Sequence, residues 1–133
     1  MTDMPASRTI SVYIDRTPQD VYAFAAAPEN VPQWAIGLGT SIEQVNGEWV
    51  AQTPDGPVTV RITEPNPFGI MDHSVRIASG NEVYNPMRVV PHRAGAVVLF
   101  TVFRRPEMTD EQFAQDTAAV ERDLRTLKQV LER

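Results

Sequence analysis

Few side chains in this 133-residue sequence are equipped for chemistry at neutral pH. With no cysteine, disulfides and thiolate nucleophiles are ruled out. Lys128 is the only lysine and lies in a stretch that reads as a solvated helix face, which disfavours Schiff-base chemistry. His73 and His92 are the only histidines, so no metal site and no cofactor is expected. His73 draws attention first, because Met71, His73, Val75 and Ile77 alternate onto one apolar strand face. A histidine on such a face is an acid–base catalyst or a hydrogen-bonding partner for a ligand carbonyl. Equally, it is a buried core histidine with its bonds satisfied. Asp72 and Ser74 flank it, but a period of two sends both to the opposite face. No G-x-S-x-G elbow exists, so a hydrolase triad is rejected.

Asn85 shares a face with Val83, Met87 and Val89. It is either a second polar group in the same interior or a local partner for backbone distorted by Pro86. Trp34 either lines a cavity mouth or plugs the core, and Trp49 reads as packing. Met71 and Met87 suit an adaptable apolar pocket or ordinary core filling. Asp116 and Asp123 lie about 10 Å apart along a helix, too far to share a proton, and read as edge ion pairs with Arg61, Arg76 or Arg88. Arg104-Arg105 reads as a solvated pair with the capacity to hold an anionic tail. Gly37-Leu38-Gly39 lacks the third glycine of a dinucleotide fingerprint and reads as a turn.

These residues need elements to position them. Residues 1–7 form a polar lead-in, and Ile10, Val12 and Ile14 then alternate as a half-buried strand. Thr17-Pro18-Gln19-Asp20 is a helix start, with Thr17 as N-cap, Pro18 at the first helical position and Asp20 placed to reach back. That helix runs to about Ala26, before Pro28, and a second short helical turn spans Glu29 to Trp34. Strands follow at Ser41–Val45, Glu48–Thr53, Val58–Thr63, Ile70–Ile77, Glu82–Val90 and Ala96–Arg104. Turns at Asn46-Gly47, Pro54–Pro57, Ser79–Asn81 and Pro91–Gly95 separate most of them. Ala96–Arg104 is the most apolar and is expected to be central, covered on both faces. Thr109 and Gln112 form a capping box. Phe113, Thr117, Val120, Leu124, Leu127 and Leu131 then mark the apolar stripe of a helix of about 24 residues, on the order of 36 Å long.

The order of strand, two short helices, a run of antiparallel strands and one long helix predicts an α+β fold. About six or seven strands would curve around the C-terminal helix. This order resembles the helix-grip fold of the START and Bet v 1-like (SRPBCC) superfamily. The stretch Ile14-Asp15-Arg16-Thr17-Pro18-Gln19-Asp20-Val21-Tyr22-Ala23-Phe24, continuing to Pro28 and Trp34, is similar to bacterial members grouped with polyketide cyclases and dehydrases. Ala27 departs from the pattern, where many relatives carry Asn or Asp. The resemblance covers residues 8–133, taken as a single domain. It implies a hydrophobic cavity between sheet and helix and fixes no reaction.

The expected function is binding of a small, mostly apolar, lipid- or polyketide-like molecule. Trp34, Met71, His73, Asn85, Met87, Phe100, Phe113 and Thr117 are the expected inward groups. One alternative is a cyclase or dehydratase in which His73 moves protons and Asn85 stabilises an enolate oxygen. Another is a protein-interaction module with a filled cavity. A net charge of −5 without a basic face argues against nucleic acid. No apolar run approaches a membrane span, and the first eight residues lack an apolar signal core, so a cytoplasmic protein is expected. The oligomeric state is left open.

Overall fold

The computed structural model describes residues 6–35 and 41–133. Residues 37–39, read above as a turn, and most of the lead-in lie outside the described residues. Strand β1 (Ser7–Ile14) leads into helix α1 (Pro18–Ala25), a 3-10 turn (Pro28–Asn30) and the short helix α2 (Val31–Trp34). Seven more strands follow: β2 (Ser41–Val45), β3 (Glu48–Thr53), β4 (Gly56–Ile62), β5 (His73–Arg76), β6 (Glu82–Asn85), β7 (Met87–His92) and β8 (Gly95–Phe103). Helix α3 (Asp110–Leu131) closes the chain.

The helix starts follow from their sequences. The Thr17 hydroxyl accepts the Asp20 N–H at 3.1 Å. Asp20 does not reach back to complete the box; its carboxylate takes Arg16 at 3.0 Å instead. At α3 the box is reciprocal: Thr109 Oγ1 accepts from Gln112 N, and Gln112 Oε1 accepts from Thr109 N. Two orphan amides are thereby satisfied.

All strand pairs are antiparallel. They form a three-stranded sheet, β1-β8-β7, and a five-stranded sheet, β2-β3-β4-β5-β6. The expected strand Glu82–Val90 is thus two strands, which raises the total among the described residues to eight. Pro86 is the cause, since it has no N–H to give a ladder. Its carbonyl still accepts Thr101 N–H at 2.9 Å, so the chain crosses from one sheet to the other while remaining beside β8. Asn46 (φ 52°) and Gly47 (φ 82°) make the turn of the β2–β3 hairpin, both with the positive φ such a turn requires.

The segment before β5 also departs from expectation. Ile70–Asp72 is not a continuous part of the strand, which begins at His73. Asn66 organises this loop: its Oδ1 accepts Phe68 N and Ile70 N, while its Nδ2 donates to the carbonyls of Glu64 and Ile70. The Tyr22 hydroxyl accepts Asn66 N–H at 3.0 Å and ties the loop to α1. Gly69 (φ 72°) lies against the Val89 carbonyl, where a Cβ would collide.

The main core lies between α3, α1 and the three-stranded sheet. Leu124, Leu127 and Leu131 pack with Val21, Ile14 and Val98, all nearly or completely buried. β8 is central by pairing, between β1 and β7. Its burial is one-sided, however: Ala96, Val98, Phe100 and Val102 are buried, while Val97 and Leu99 are half-exposed. Lys128 is not merely solvated. Its Nζ donates to the Tyr13 carbonyl and to Glu132, both at 2.7 Å, and pins the end of α3 to β1. Among the described residues no helix is long and apolar enough to cross a membrane.

Candidate functional site

A cavity of about 570 Å³ lies between the five-stranded sheet, β8 and α3. His73 and Val75 of β5, Val83 and Asn85 of β6, and Phe100 and Val102 of β8 form its sheet wall. Ala119, Val120 and Leu124 supply the facing wall from α3, and Trp34 closes it from α2. Its charged members are Asp55, Arg105, Asp116 and Asp123. A second space of about 20 Å³ adjoins Trp34 and His73 and is bordered by Met71 and Met87.

His73 is held by its surroundings. Only 9% of its surface is exposed. Its ring stands edge-on to Phe100, with centroids 5.5 Å apart. Nδ1 lies 3.1 Å from the Met71 carbonyl oxygen. A carbonyl only accepts, so Nδ1 carries the proton and donates. In the neutral ring Nε2 is then a bare lone pair, and it makes no hydrogen bond among the described residues. Burial pushes the imidazole pKa below its ordinary value, against the smaller opposing effects of the Met71 carbonyl and the Asp72 charge. The neutral form therefore dominates at neutral pH. A hydrogen bond from His73 to a ligand carbonyl is not what this tautomer offers; it accepts.

Asn85 is the direct cross-strand partner of His73. Directly opposed residues share a face, with Cβ atoms about 4.5–5.5 Å apart. The Asn85 carboxamide makes no hydrogen bond among the described residues, so it is not spent on the backbone distorted by Pro86. Trp34 is 5% exposed, and its Nε1–H likewise lacks a partner among the described residues.

Asp72 takes no part in this cavity. The alternation holds, and the carboxylate lies on the other side of the strand. There it accepts Tyr84 Oη at 2.7 Å, Met87 N at 2.8 Å and an Arg88 guanidinium nitrogen at 3.1 Å. Burial alone would raise its pKa; Arg88, Tyr84 and the Met87 amide outweigh burial and hold it low. Arg88 is therefore not a partner of Asp116 or Asp123, and Arg76 pairs with Glu48 at 3.2 Å. Asp116 lies 4.0 Å from Arg105, which itself binds Glu107 at 2.8 Å. Burial raises the Asp116 pKa, and Arg105 pulls it down less strongly. Arg104 pairs with Asp110, so neither arginine of the pair is simply solvated.

Of the eight expected inward residues, Trp34, His73, Asn85 and Phe100 meet at the large cavity. Met71 and Met87 border the small space instead. Phe113 and Thr117 border neither. Thr117 is buried with its hydroxyl turned back onto the Phe113 carbonyl at 2.9 Å, and one turn further along α3 Val120 takes the cavity-facing place. Arg105, read from sequence as able to hold an anionic tail, borders the cavity; sequence reading missed the Asp55 turn there, because its position signals only a turn. Among the described residues no cluster of His, Cys, Asp and Glu has the form of a metal site.

Comparison with solved structures places this architecture. The protein XoxI of Bacillus cereus superimposes with a TM-score of 0.75 at 18% identity, covering 95% of each chain. Ara h 8.0201 gives 0.74 at 12% identity, covering 96% of this chain and 98% of that one. DynU16, a protein of the dynemicin biosynthetic locus, gives 0.71 at 16% identity over 95% of this chain and 47% of its own. The chain thus has a Bet v 1-like helix-grip fold, α+β with a long C-terminal helix. No protein-family model and no curated protein sequence matches it.

Proposed function

We propose that this protein binds a small, mostly apolar molecule of lipid or polyketide type in the cavity between sheet and α3. The cavity itself carries the reading. At about 570 Å³ it falls in the usual range for ligand sites, about 300–1,000 Å³. Thirteen of its 21 lining residues are apolar, and eight polar or charged side chains are set among them. DynU16, a neighbour in fold, comes from a biosynthetic locus, which fits a polyketide-like ligand.

The His73–Asn85 pair supports a second reading, a cyclase- or dehydratase-type enzyme. A neutral His73 with a free Nε2 is a general base, and the Asn85 amide is a donor for a developing enolate oxygen. An interaction module with a filled cavity has less support, since the space is there. Thermal shift against fatty acids, aromatic polyketides, flavonoids and sterols tests the binding reading. A ligand at 100 times its Kd adds about 2.7 kcal/mol, which moves Tm by several degrees. Silence across the whole panel would overturn it.

A further inference from the structure

The interior polar groups differ in kind, and the difference restricts the ligand. His73 Nδ1–H is committed to the Met71 carbonyl, so the ring has only an acceptor left. Beside it on the same face, the Asn85 carboxamide offers both donor and acceptor. Trp34 shares both spaces with His73, and its N–H has no hydrogen-bond partner among the described residues. A carboxylate or a ketone can only accept and has nothing to give His73. A hydroxyl has both the proton that Nε2 needs and lone pairs for a donor.

The charges agree. Three carboxylates line the cavity, Asp55, Asp116 and Asp123. Arg105 is the one cationic side chain among the described lining residues, and Glu107 and Asp116 already face it. An anionic ligand would enter an acidic space without a free counter-charge.

We infer that the cavity selects an uncharged ligand bearing a hydroxyl group, whose proton is accepted by His73 Nε2 with Asn85 alongside. This rests on the binding reading above and narrows it to neutral alcohols and phenols, against fatty-acid carboxylates. His73 and Asn85 are then specificity-determining residues.

The test is calorimetric titration at pH 7 with naphthalene, 2-naphthol and 2-naphthoate, three probes of one ring system. One buried hydrogen bond predicts that 2-naphthol binds about five- to tenfold tighter than naphthalene. 2-Naphthoate should bind weaker than both. In His73→Phe the preference for 2-naphthol over naphthalene should vanish. The comparison in the unaltered protein decides the matter even if that variant folds poorly. Equal binding of naphthalene and 2-naphthol, or tightest binding of 2-naphthoate, overturns this inference and leaves the apolar site standing. No binding of any probe overturns both.

Discussion

His73 and Asn85 stand directly opposite each other across the β5–β6 ladder, on the face that lines the cavity. The pairing is the last one in β6, because Pro86 follows and ends the ladder. On the other side of the chain the Asp72 carboxylate accepts the Met87 N–H at 2.8 Å, the first amide beyond that proline. Two adjacent residues, 72 and 73, thus divide the work. One fixes the strand break; the other lines the cavity.

Asp72 should matter for stability and little for ligand choice. Asp72→Ala leaves Met87 N–H without its acceptor and removes the partner of Tyr84 and Arg88. A loss of about 2–3 kcal/mol is expected in urea denaturation. Asp72→Asn keeps an acceptor and should lose about half as much. A loss within ~0.5 kcal/mol for the alanine variant, as for an ordinary surface site, would contradict this role.

Stability should depend on pH through two buried groups of opposite charge type. The folded pKa of His73 lies below the ordinary 6.5. As pH falls below that value, the unfolded chain takes up a proton that the folded chain refuses, so stability is complete above it and declines beneath it. The groups near the ring are Asp72, whose charge raises its pKa, and Phe100, which does not titrate. Asp72 is held below 3.8 in the folded chain, so its contribution is present above 3.8 and lost as pH falls through the lower folded value. Denaturation midpoints should therefore drop from pH 7 to 5 in the native sequence and be flatter over that span in His73→Phe. An equal slope in both would show that His73 is not the group responsible.

The helix against which the sheet packs should be sensitive at its core and at its cap. Leu127 is fully buried, and Leu127→Ala should cost about 2–5 kcal/mol by transfer and cavity terms. Thr109→Ala breaks the capping box and should cost about 1 kcal/mol. Thermal denaturation of both variants gives the ranking; a reversed order would mean that α3 is not seated as described.

The tautomer of His73 can be read directly. In long-range proton–nitrogen spectra at pH 7, Nδ1 should carry the proton and Nε2 should show the shift of an unprotonated nitrogen. A proton on Nε2 would remove the acceptor on which hydroxyl selection rests.

Much of this fold is legible in local pattern. Ile10-Val12-Ile14, Asn46-Gly47 and the stripe Leu124-Leu127-Leu131 each announce their element through periodicity or turn chemistry. Pro86 carries its own warning of a strand break. Long-range bonds are not legible in this way. Ile70–Asp72 looks like strand by alternation, but Asn66 and Gly69 commit it to a loop packed on Val89. The partners of Asp72 lie twelve to sixteen residues away, and no local spacing marks them. Thr117 lies on the correct helix stripe yet spends its hydroxyl on Phe113, because a threonine on a helix can bond its own preceding turn. The candidate site was half legible for the same reason: alternation placed His73 and Asn85 on inward faces, and only tertiary packing chose which inward residues meet the open space.

The most direct test of ligand binding in this cavity uses its own fluorophore. Of the two tryptophans, Trp34 lines the cavity and Trp49 does not. In a Trp49→Phe protein, titration with the neutral apolar probe N-phenyl-1-naphthylamine should quench Trp34 emission saturably by energy transfer, at one probe per chain. Adding Ala119→Phe, which fills the space from α3, should weaken that binding at least tenfold. Quenching that never saturates, or saturates equally well with the cavity filled, would contradict a ligand site between sheet and helix.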